Sequence, residues 1–301
     1  ANLGVSMGVP VFYIGKSFDE DMLDGDSIAE VLKSTNVNVL QLPKLNNVLK
    51  DLMMRGFNGI TAVADVHGKR ETLKEAILWA QRRNHFLVFL GDILDYGPKP
   101  LECIEEVYDI IIRGHGLSVI GNHEKKIWRW LQARKVGEQN KLRLSTGNKI
   151  TVDAFENLTK KDQKLWENKF IALYNLSTHH LNIGNTIFVH AAAHLDMWNN
   201  FNPRLYGDVE VRALFGQLSA ATPFSNGQPN RIYDWIDEIP TGKQVIVGHD
   251  IRSKIAPVTQ KNQNGGQAIF LDTGSGKGGV LSTIDLGFEN NGLVIKNFNQ
   301  Y

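Results

Sequence analysis

The sequence predicts a layered α/β fold, and two observations support that prediction. Five short apolar runs, rich in Val, Ile, Leu or Phe, have the length of buried strands; they span residues 60–64, 86–90, 117–120, 186–189 and 244–247. The two segments that follow the first two runs, residues 69–83 and 100–113, combine helical spacing with strong helix formers. Strands that alternate with helices in this order are typical of an α/β core.

Composition excludes several other classes of protein. The chain has 301 residues, of which 42% are hydrophobic and 22% charged, so it is not disordered, collagen-like or a coiled coil. The formal net charge is +1, and no overall field favours nucleic acid or an anionic membrane. A single cysteine, Cys103, fits a reducing compartment, and no apolar run is long enough for a bilayer. We therefore expect a cytoplasmic protein with no membrane partner.

Two segments are predicted to lie outside the common core. Residues 1–58 form an N-terminal extension of unknown role, with a strand-like run at 9–15, an acidic turn at 19–26 and helical patterns at 27–33 and 45–54. The acidic turn lacks the glycine that a calcium loop requires, so we interpret it as a solvated turn.

The second segment, at about 125–177, is a helical insertion that could form a lid over a site at the strand ends. It begins with basic and aromatic residues, and Trp128 and Trp130 could stack on bases or pack within the insertion.

Each of the five predicted strands ends at polar residues with the chemistry of metal ligands. In chain order they are Asp65-Val66-His67-Gly68, Gly91-Asp92-Ile93-Leu94-Asp95-Tyr96-Gly97, Gly121-Asn122-His123-Glu124, His190 and Gly248-His249. Loops at the carboxyl ends of strands in an α/β sheet converge on one crevice, so we expect these residues to meet there. Imidazole, carboxylate and amide ligands without cysteine suit manganese, iron, zinc or nickel.

One strand that ends in Asp or His has an ordinary structural explanation, because such residues cap helices and close turns. That explanation does not account for five successive strand ends that all carry residues suited to metal binding. The sequence therefore predicts a metal site, and two ions that share one carboxylate are its most economical arrangement.

These clusters resemble the signature of the calcineurin-like metallophosphoesterases, especially their phosphoprotein-phosphatase branch, from residue 59 to about residue 286. Further blocks are similar to bacterial and phage serine/threonine phosphatases, the phosphatase module of polynucleotide kinase-phosphatase and symmetrical diadenosine tetraphosphatases. They are Arg204-Leu205-Tyr206-Gly207, Tyr233-Asp234-Trp235 and Leu271-Asp272-Thr273-Gly274 followed by Gly278-Gly279. The resemblance implies a four-layer α-β-β-α sandwich with two mixed sheets, formed by a metallophosphoesterase domain of residues 59–301.

The resemblance also implies two divalent metal ions, manganese by preference, with iron, zinc or nickel as alternatives. The implied ligands are Asp65, His67 and Asp92 for one ion, and Asp92, Asn122, His190 and His249 for the other. Asp92 would bridge the two ions.

His123 is implied as the general acid, with Asp95 orienting its ring. Two close cations lower the pKa of a bridging water enough to give hydroxide near neutral pH, and a histidinium can protonate the leaving group. The implied activity is hydrolysis of phosphate monoesters, with a phosphorylated protein, a nucleotide or a nucleic-acid end as substrate.

Tyr96 departs from the family pattern, since members with monoesterase activity usually carry Arg directly after the second Asp of the Gly-Asp block. A guanidinium grips two phosphate oxygens, whereas a phenol offers one neutral hydrogen bond. A phosphodiester or a dinucleoside polyphosphate is therefore an alternative substrate, unless Arg204 or Arg252 supplies the missing charge. The expected substrate contacts are Asn122, Tyr96, Arg204 and Arg252, although either arginine could instead be a surface charge with a packed stem.

Two further hypotheses concern activity and partners. In the first, the protein is a metal-binding scaffold that has lost its activity, and Tyr96 is the first residue to show that loss. The retained pair of His123 and Asp95 argues against this hypothesis. Alternatively, the N-terminal extension and the basic start of the insertion could dock one macromolecular substrate. The segment 274–279 is predicted to be a glycine-rich turn near the site, because it lacks the spacing of a Walker motif.

Overall fold

A computed structural model describes residues 48–199, 205–219, 230–289 and 292–301. The elements predicted at 9–15, 19–26 and 27–33, and Arg204, lie outside the described residues. Within those residues the strands are β1 (Gly59–Val63), β2 (His85–Phe89), β3 (Gly116–Ser118), β4 (His180–Ile183), β5 (Thr186–Val189), β6 (Gln244–Val247), β7 (Val258–Lys261), β8 (Gln267–Phe270), β9 (Ser282–Glu289) and β10 (Gly292–Gln300). The helices are α1 (Val48–Met54), α2 (Arg70–Arg82), α3 (Pro100–Ile112), α4 (Asn122–Lys135), α5 (Thr146–Glu156), α6 (Lys160–Leu176), α7 (Asp196–Asn199) and α8 (Gly207–Phe215).

The strands form two mixed sheets of five, in the orders β10-β9-β1-β2-β3 and β4-β5-β6-β8-β7. In the first sheet β1, β2 and β3 are parallel, and in the second sheet β5, β6 and β8 are parallel. Antiparallel strands complete each sheet. All five apolar runs singled out in the sequence are strands, and they belong to the parallel parts whose carboxyl ends carry the polar clusters.

The two sheets face each other across a shared apolar core. Ile60 and Phe86 of the first sheet belong to the same buried cluster as Phe188 and Ile246 of the second sheet, and each is fully buried. Leu52 of α1 joins this cluster, so the last described helix before β1 packs against the core that the sheets share. Burial of such side chains contributes about 1.5–3 kcal/mol each.

Helices cover the outer face of each sheet. Because side chains alternate along a strand, Val63 and Phe89 point away from the shared core and pack with residues of α2 and α3. Val189 and Val247 of the second sheet pack in the same way with Ala213 of α8 and its neighbours. The result is the α-β-β-α sandwich with two mixed sheets that the resemblance implied.

The insertion packs beside α3. The indole Nε1 of Trp166 donates a 3.1 Å hydrogen bond to the carbonyl of Leu101. Trp128 stacks on Tyr174 with ring centroids 5.3 Å apart, and Trp130 is 3% exposed against the ring of Phe155. Both tryptophans are therefore used in packing within the insertion, which is the second of the two interpretations given above. Among the described helices, none combines the length and the apolarity needed to cross a bilayer.

Candidate metal centre and active site

The polar residues that follow the parallel strands of both sheets meet in one cleft. The cleft has a volume of about 200 Å³ and is lined by Asp65, His67, Asp92, His123, Arg231, His249, Asp250, Ile251 and Lys277. Five of these nine residues come from the clusters at the predicted strand ends. The fold thus brings together residues that are as far apart in sequence as 65 and 249.

Two groups of metal-type donors share Asp92, and all of their members except the fully buried His190 line this cleft. One group is His67, Asp92 and His123; the other is Asp92, His190 and His249. Within each group the ligand atoms all lie within 4.8 Å of one another. Asp92 is 2% exposed, and its two carboxylate oxygens face different groups, which is the arrangement that a shared ligand of two ions requires.

Around His190 the donors converge closely. Its Nε2 lies 3.0 Å from Asn122 Oδ1, 3.1 Å from His249 Nδ1 and 3.4 Å from Asp92 Oδ1. Its Nδ1 lies 2.7 Å from the carbonyl of Leu90, a contact in which Nδ1–H donates. That bond keeps a proton on Nδ1 and turns Nε2 toward the other donors, so that Nε2 is the nitrogen that would bind a metal once it has lost its own proton.

His67 is held in the same manner. Its Nδ1–H donates to the carbonyl of Leu94 at 3.1 Å, while its Nε2 lies 3.8 Å from Asp92 Oδ2 and 3.9 Å from Asp65 Oδ2. The carboxylate of Asp65 also accepts the backbone N–H of His249, at 2.9 and 3.1 Å. Asp65 therefore stands beside the first group and ties it to the loop that follows β6.

His123 is the second histidine of the first donor group. Its Nδ1 hydrogen-bonds to Asp95 Oδ2, and its Nε2 lies 3.8 Å from Asp92 Oδ2. Burial alone would lower the pKa of His123, but the charge of Asp92 and the hydrogen bond to Asp95 raise it to about 9. In this state the ring carries a proton on Nε2 and can donate it into the cleft.

Buried charges set the other pKa values of the cleft. Burial raises the pKa of Asp92, yet the neighbouring histidines His190 and His123 hold it well below its usual range. Burial lowers the pKa of His67 to about 4, whereas the charge of Asp92 outweighs burial at His190 and raises its pKa to about 9. The negative charge of one shared carboxylate, Asp92, therefore offsets the positive charge of several imidazoles in the cleft.

Five residues in the loops of the cleft have an unusual backbone conformation. The φ angles of His67, Asp92, Asp95, Tyr96 and His249 lie between 49° and 75°. Such left-handed conformations cost non-glycine residues about 1–3 kcal/mol each, and in folded proteins they concentrate at functional sites. Gly121 meets a further constraint, because a Cβ at that position would overlap the side chain of Asp92.

Glu124 was quoted in the sequence cluster without a role, and the structure gives it one. Its buried carboxylate accepts the backbone N–H groups of Gly121, Asp92 and Ile93 at 3.0, 2.8 and 2.7 Å. These bonds clamp the loop after β2 to the start of α4. Burial, together with the charge of Asp92, raises the pKa of Glu124 to about 7.

The expected substrate contacts have different positions. Oδ1 of Asn122 lies 3.0 Å from Nε2 of His190, beside the second donor group, and Asn122 is not among the residues that line the cleft. The ring of Tyr96 packs against His67 and His123, with centroids 4.8 and 5.4 Å apart, and is not among the residues that line the cleft. The guanidinium of Arg252 lies 4.1 Å over the ring of Tyr233 and 3.8 Å from Asp250, and it too is absent from the lining.

Two cations that the sequence reasoning missed, Arg231 and Lys277, do line the cleft. Nη2 of Arg231 donates to His249 Nε2 at 2.7 Å, so this arginine lies beside the second donor group. No apolar strand pattern precedes Arg231, so the sequence did not indicate that this residue belongs to the site. Lys277 belongs to the glycine-rich turn that was predicted to lie near the site.

The sequence is similar to a known family and to curated proteins. The sequence model of the family described as calcineurin-like phosphoesterase matches residues 59–253. A curated relative from Oceanobacillus iheyensis, named bis(5'-nucleosyl)-tetraphosphatase PrpE [asymmetrical], is 28% identical over 207 residues, which cover 63% of this chain and 76% of the relative. The protein of the same name from Bacillus subtilis strain 168 is 26% identical, over 73% of this chain and 87% of its own length.

Solved structures share the fold at low sequence identity. A structure described as a candidate diadenosine tetraphosphatase is 20% identical with a TM-score of 0.50, covering 80% of this chain and 94% of that chain. A protein serine/threonine phosphatase from Saccharomyces cerevisiae is 15% identical, also with a TM-score of 0.50, and covers 79% of each chain. These likenesses support the two-sheet architecture described above.

Proposed function

Because the chain belongs to the calcineurin-like phosphoesterase family and is therefore a hydrolase, we propose that it removes phosphate from nucleotide substrates with two divalent metal ions. One observation carries the proposal. The two donor groups that share Asp92, one of which contains His123, lie beside two cations, Arg231 and Lys277, at one cleft of about 200 Å³.

The donors fit divalent transition ions. His67 and His190 each donate one ring N–H to a backbone carbonyl and turn the other nitrogen inward, which fixes the tautomer that ligates a metal. We propose manganese as the ion, held by Asp65, His67 and Asp92 at one position and by Asp92, Asn122, His190 and His249 at the other. When bound, two such ions supply positive charge to the phosphoryl oxygens and acidify water.

His123 is proposed as the general acid and Asp95 as the group that orients it. Nδ1–H of His123 donates a hydrogen bond to Asp95, and this contact directs Nε2 into the cleft. A pKa raised to about 9 keeps the proton on the ring at neutral pH, where a leaving oxygen needs it. Arg231 faces the cleft from the His249 side and can bind non-bridging phosphate oxygens.

Nucleotides are the proposed substrates because curated relatives carry the name bis(5'-nucleosyl)-tetraphosphatase. The absence of Arg at position 96 supports a second candidate within this class, cleavage of a dinucleoside polyphosphate rather than a terminal monoester. Cytoplasmic location remains part of the proposal and rests on the single buried cysteine, Cys103.

Turnover by the metal-stripped protein, resupplied with manganese, magnesium, nickel or zinc, tests the proposal. The substrates are para-nitrophenyl phosphate, bis(para-nitrophenyl) phosphate, a bis(5'-nucleosyl) tetraphosphate and a phosphoserine peptide. We expect manganese-dependent release from the nucleotide, abolished by chelation, and loss of turnover with retained manganese in the His123→Ala variant. Preference for the phosphopeptide would contradict the nucleotide assignment, and inactivity with every metal and substrate would contradict the function.

A further inference from the structure

The glycine-rich turn after β8 is fastened to the loop that carries His67. Gly274 and Gly278 adopt left-handed backbone conformations, with φ of +83° and +82°, at either end of a single 3₁₀ turn, Ser275–Lys277. The hydroxyl of Ser275 donates to the carbonyl of Val66 at 3.1 Å. A Cβ at Gly276 would lie 2.6 Å from Cβ of His67, so only glycine permits this approach. The turn thereby delivers the next side chain, Lys277, into the cleft.

Tyr96 and Lys277 meet beside His67. Nζ of Lys277 lies 5.7 Å from the centroid of the Tyr96 ring, within the range of a cation–π contact. The Tyr96 ring is wedged against His67, His123 and Gly147 and does not line the cleft, whereas Lys277 does. The position where the family resemblance leads us to expect a cation thus holds an aromatic ring, and a cation reaches the same corner from another loop.

We propose that Lys277 determines the substrate specificity of this cleft by binding a phosphate group on the His67 side, with the Tyr96 ring holding its ammonium in place. The inference rests on the proposed function and specifies the form of phosphate that the cleft accepts. A guanidinium after Asp95 would grip two oxygens of a terminal dianion, whereas an ammonium is a point charge that one oxygen satisfies. Inner phosphates of a polyphosphate chain, with one charge per group, match that demand better than a terminal monoester.

Three variants separate direct contact from general electrostatics. Lys277→Met removes the charge and keeps an unbranched side chain, and Lys277→Arg restores a charge with two-oxygen geometry. Lys261→Met removes the same charge from exposed strand β7 and serves as the matched control. Thermal melting confirms that each variant is folded.

Two readouts are measured on the manganese-loaded protein: affinity for inorganic phosphate by calorimetry, and kcat/KM for a bis(5'-nucleosyl) tetraphosphate and for para-nitrophenyl phosphate. We expect Lys277→Met to weaken phosphate binding and to lower kcat/KM for the tetraphosphate by about tenfold, the order of one charge-assisted hydrogen bond. Lys277→Arg is expected to retain phosphate binding and shift the kcat/KM ratio toward the monoester. Lys261→Met is expected to match the wild type.

Phosphate affinity and tetraphosphate kcat/KM within about twofold of wild type in Lys277→Met would overturn the inference. An unchanged substrate ratio in Lys277→Arg would also overturn it. Because calorimetry does not depend on turnover, a wild-type protein without activity would contradict the proposed function while phosphate affinity still decides the role of Lys277.

Discussion

Asn148 donates a 2.5 Å hydrogen bond to Asp95 Oδ2, and this contact joins the helical insertion to the carboxylate that orients His123. Thr151, one turn further along α5, donates its hydroxyl to the other carboxylate oxygen and accepts the backbone N–H of Asp95 at 3.1 Å. Asp95 is 0% exposed, so these donors replace the water that would otherwise solvate it. The insertion therefore positions the His123 and Asp95 pair.

Substitution of Thr151 by Val tests this positioning. Valine has nearly the same shape but removes the hydroxyl that donates to Oδ1 of Asp95 and leaves the backbone N–H of Asp95 without an acceptor, so we expect kcat to fall by about tenfold with KM little changed. Thr146→Val, at an exposed position in the first turn of the same helix, is the control. Equal kcat values for the Thr151 variant and the wild type would show that the insertion does not position the pair.

His123 is expected to act through the proton on its Nε2, which makes its contribution depend on the leaving group. His123→Gln should lower kcat by about a hundredfold or more for an alkyl phosphate and by much less for para-nitrophenyl phosphate, whose leaving group needs no proton. The charge of Asp92 and the hydrogen bond to Asp95 raise the pKa of His123 despite burial, and the ring is protonated below that pKa, so wild-type activity should decline as pH rises through it and the variant should lack this decline. Equal losses on both substrates would argue against the role of an acid.

Gly147 provides a test of where the Tyr96 ring lies. A Cβ at Gly147 would stand 2.9 Å from Cζ of Tyr96, although alanine is intrinsically more stable than glycine within a helix by about 1 kcal/mol. We expect Gly147→Ala to lower the melting temperature because overpacking costs about 1–3 kcal/mol. In a Tyr96→Ala background the same change should raise the melting temperature. A stabilising effect in both backgrounds would mean that the ring does not contact Gly147.

The metal-type residues could be predicted because each directly follows a buried strand. The parallel strands β1, β2, β3, β5 and β6 are short apolar runs, and their carboxyl ends must lie at one edge of each sheet. Strand β7 was not predicted, since its residues are mostly exposed and polar and carry no hydrophobic signal. Strands β8, β9 and β10 were missed as well, although β9 is largely buried.

Sequence patterns could not identify the two cations or the positioning residues, because tertiary contacts bring these side chains to the site. Lys277 enters the cleft because Gly276 lies against His67, and Arg231 because its guanidinium meets His249. Asn148 and Thr151 occupy ordinary positions of a helix with a buried face, and only the docking of that helix brings them to Asp95. Such contacts depend on tertiary distances that no local periodicity encodes.

The pH dependence of metal binding can separate ligands from the acid. Burial, together with the charge of Asp272, raises the pKa of Asp65, and the charge of Asp92 raises that of His190 to about 9 despite burial. His190 must lose its proton before it can bind a metal, and the raised pKa of Asp65 acts in the same direction, so we expect manganese affinity to increase from pH 6.5 to pH 8.5 as fewer protons compete. Titration calorimetry in buffers of different ionisation enthalpy counts the protons that are released.

That proton count distinguishes two interpretations of the first donor group. If His123 is the acid, it keeps its proton when manganese binds, and His123→Gln should release the same number of protons as the wild type with a similar affinity. If His123 is instead a ligand, its proton must leave, and the variant would release one proton fewer and bind manganese more weakly. The second result would contradict the assignment of the acid, because a metal-bound Nε2 holds no proton for the leaving oxygen.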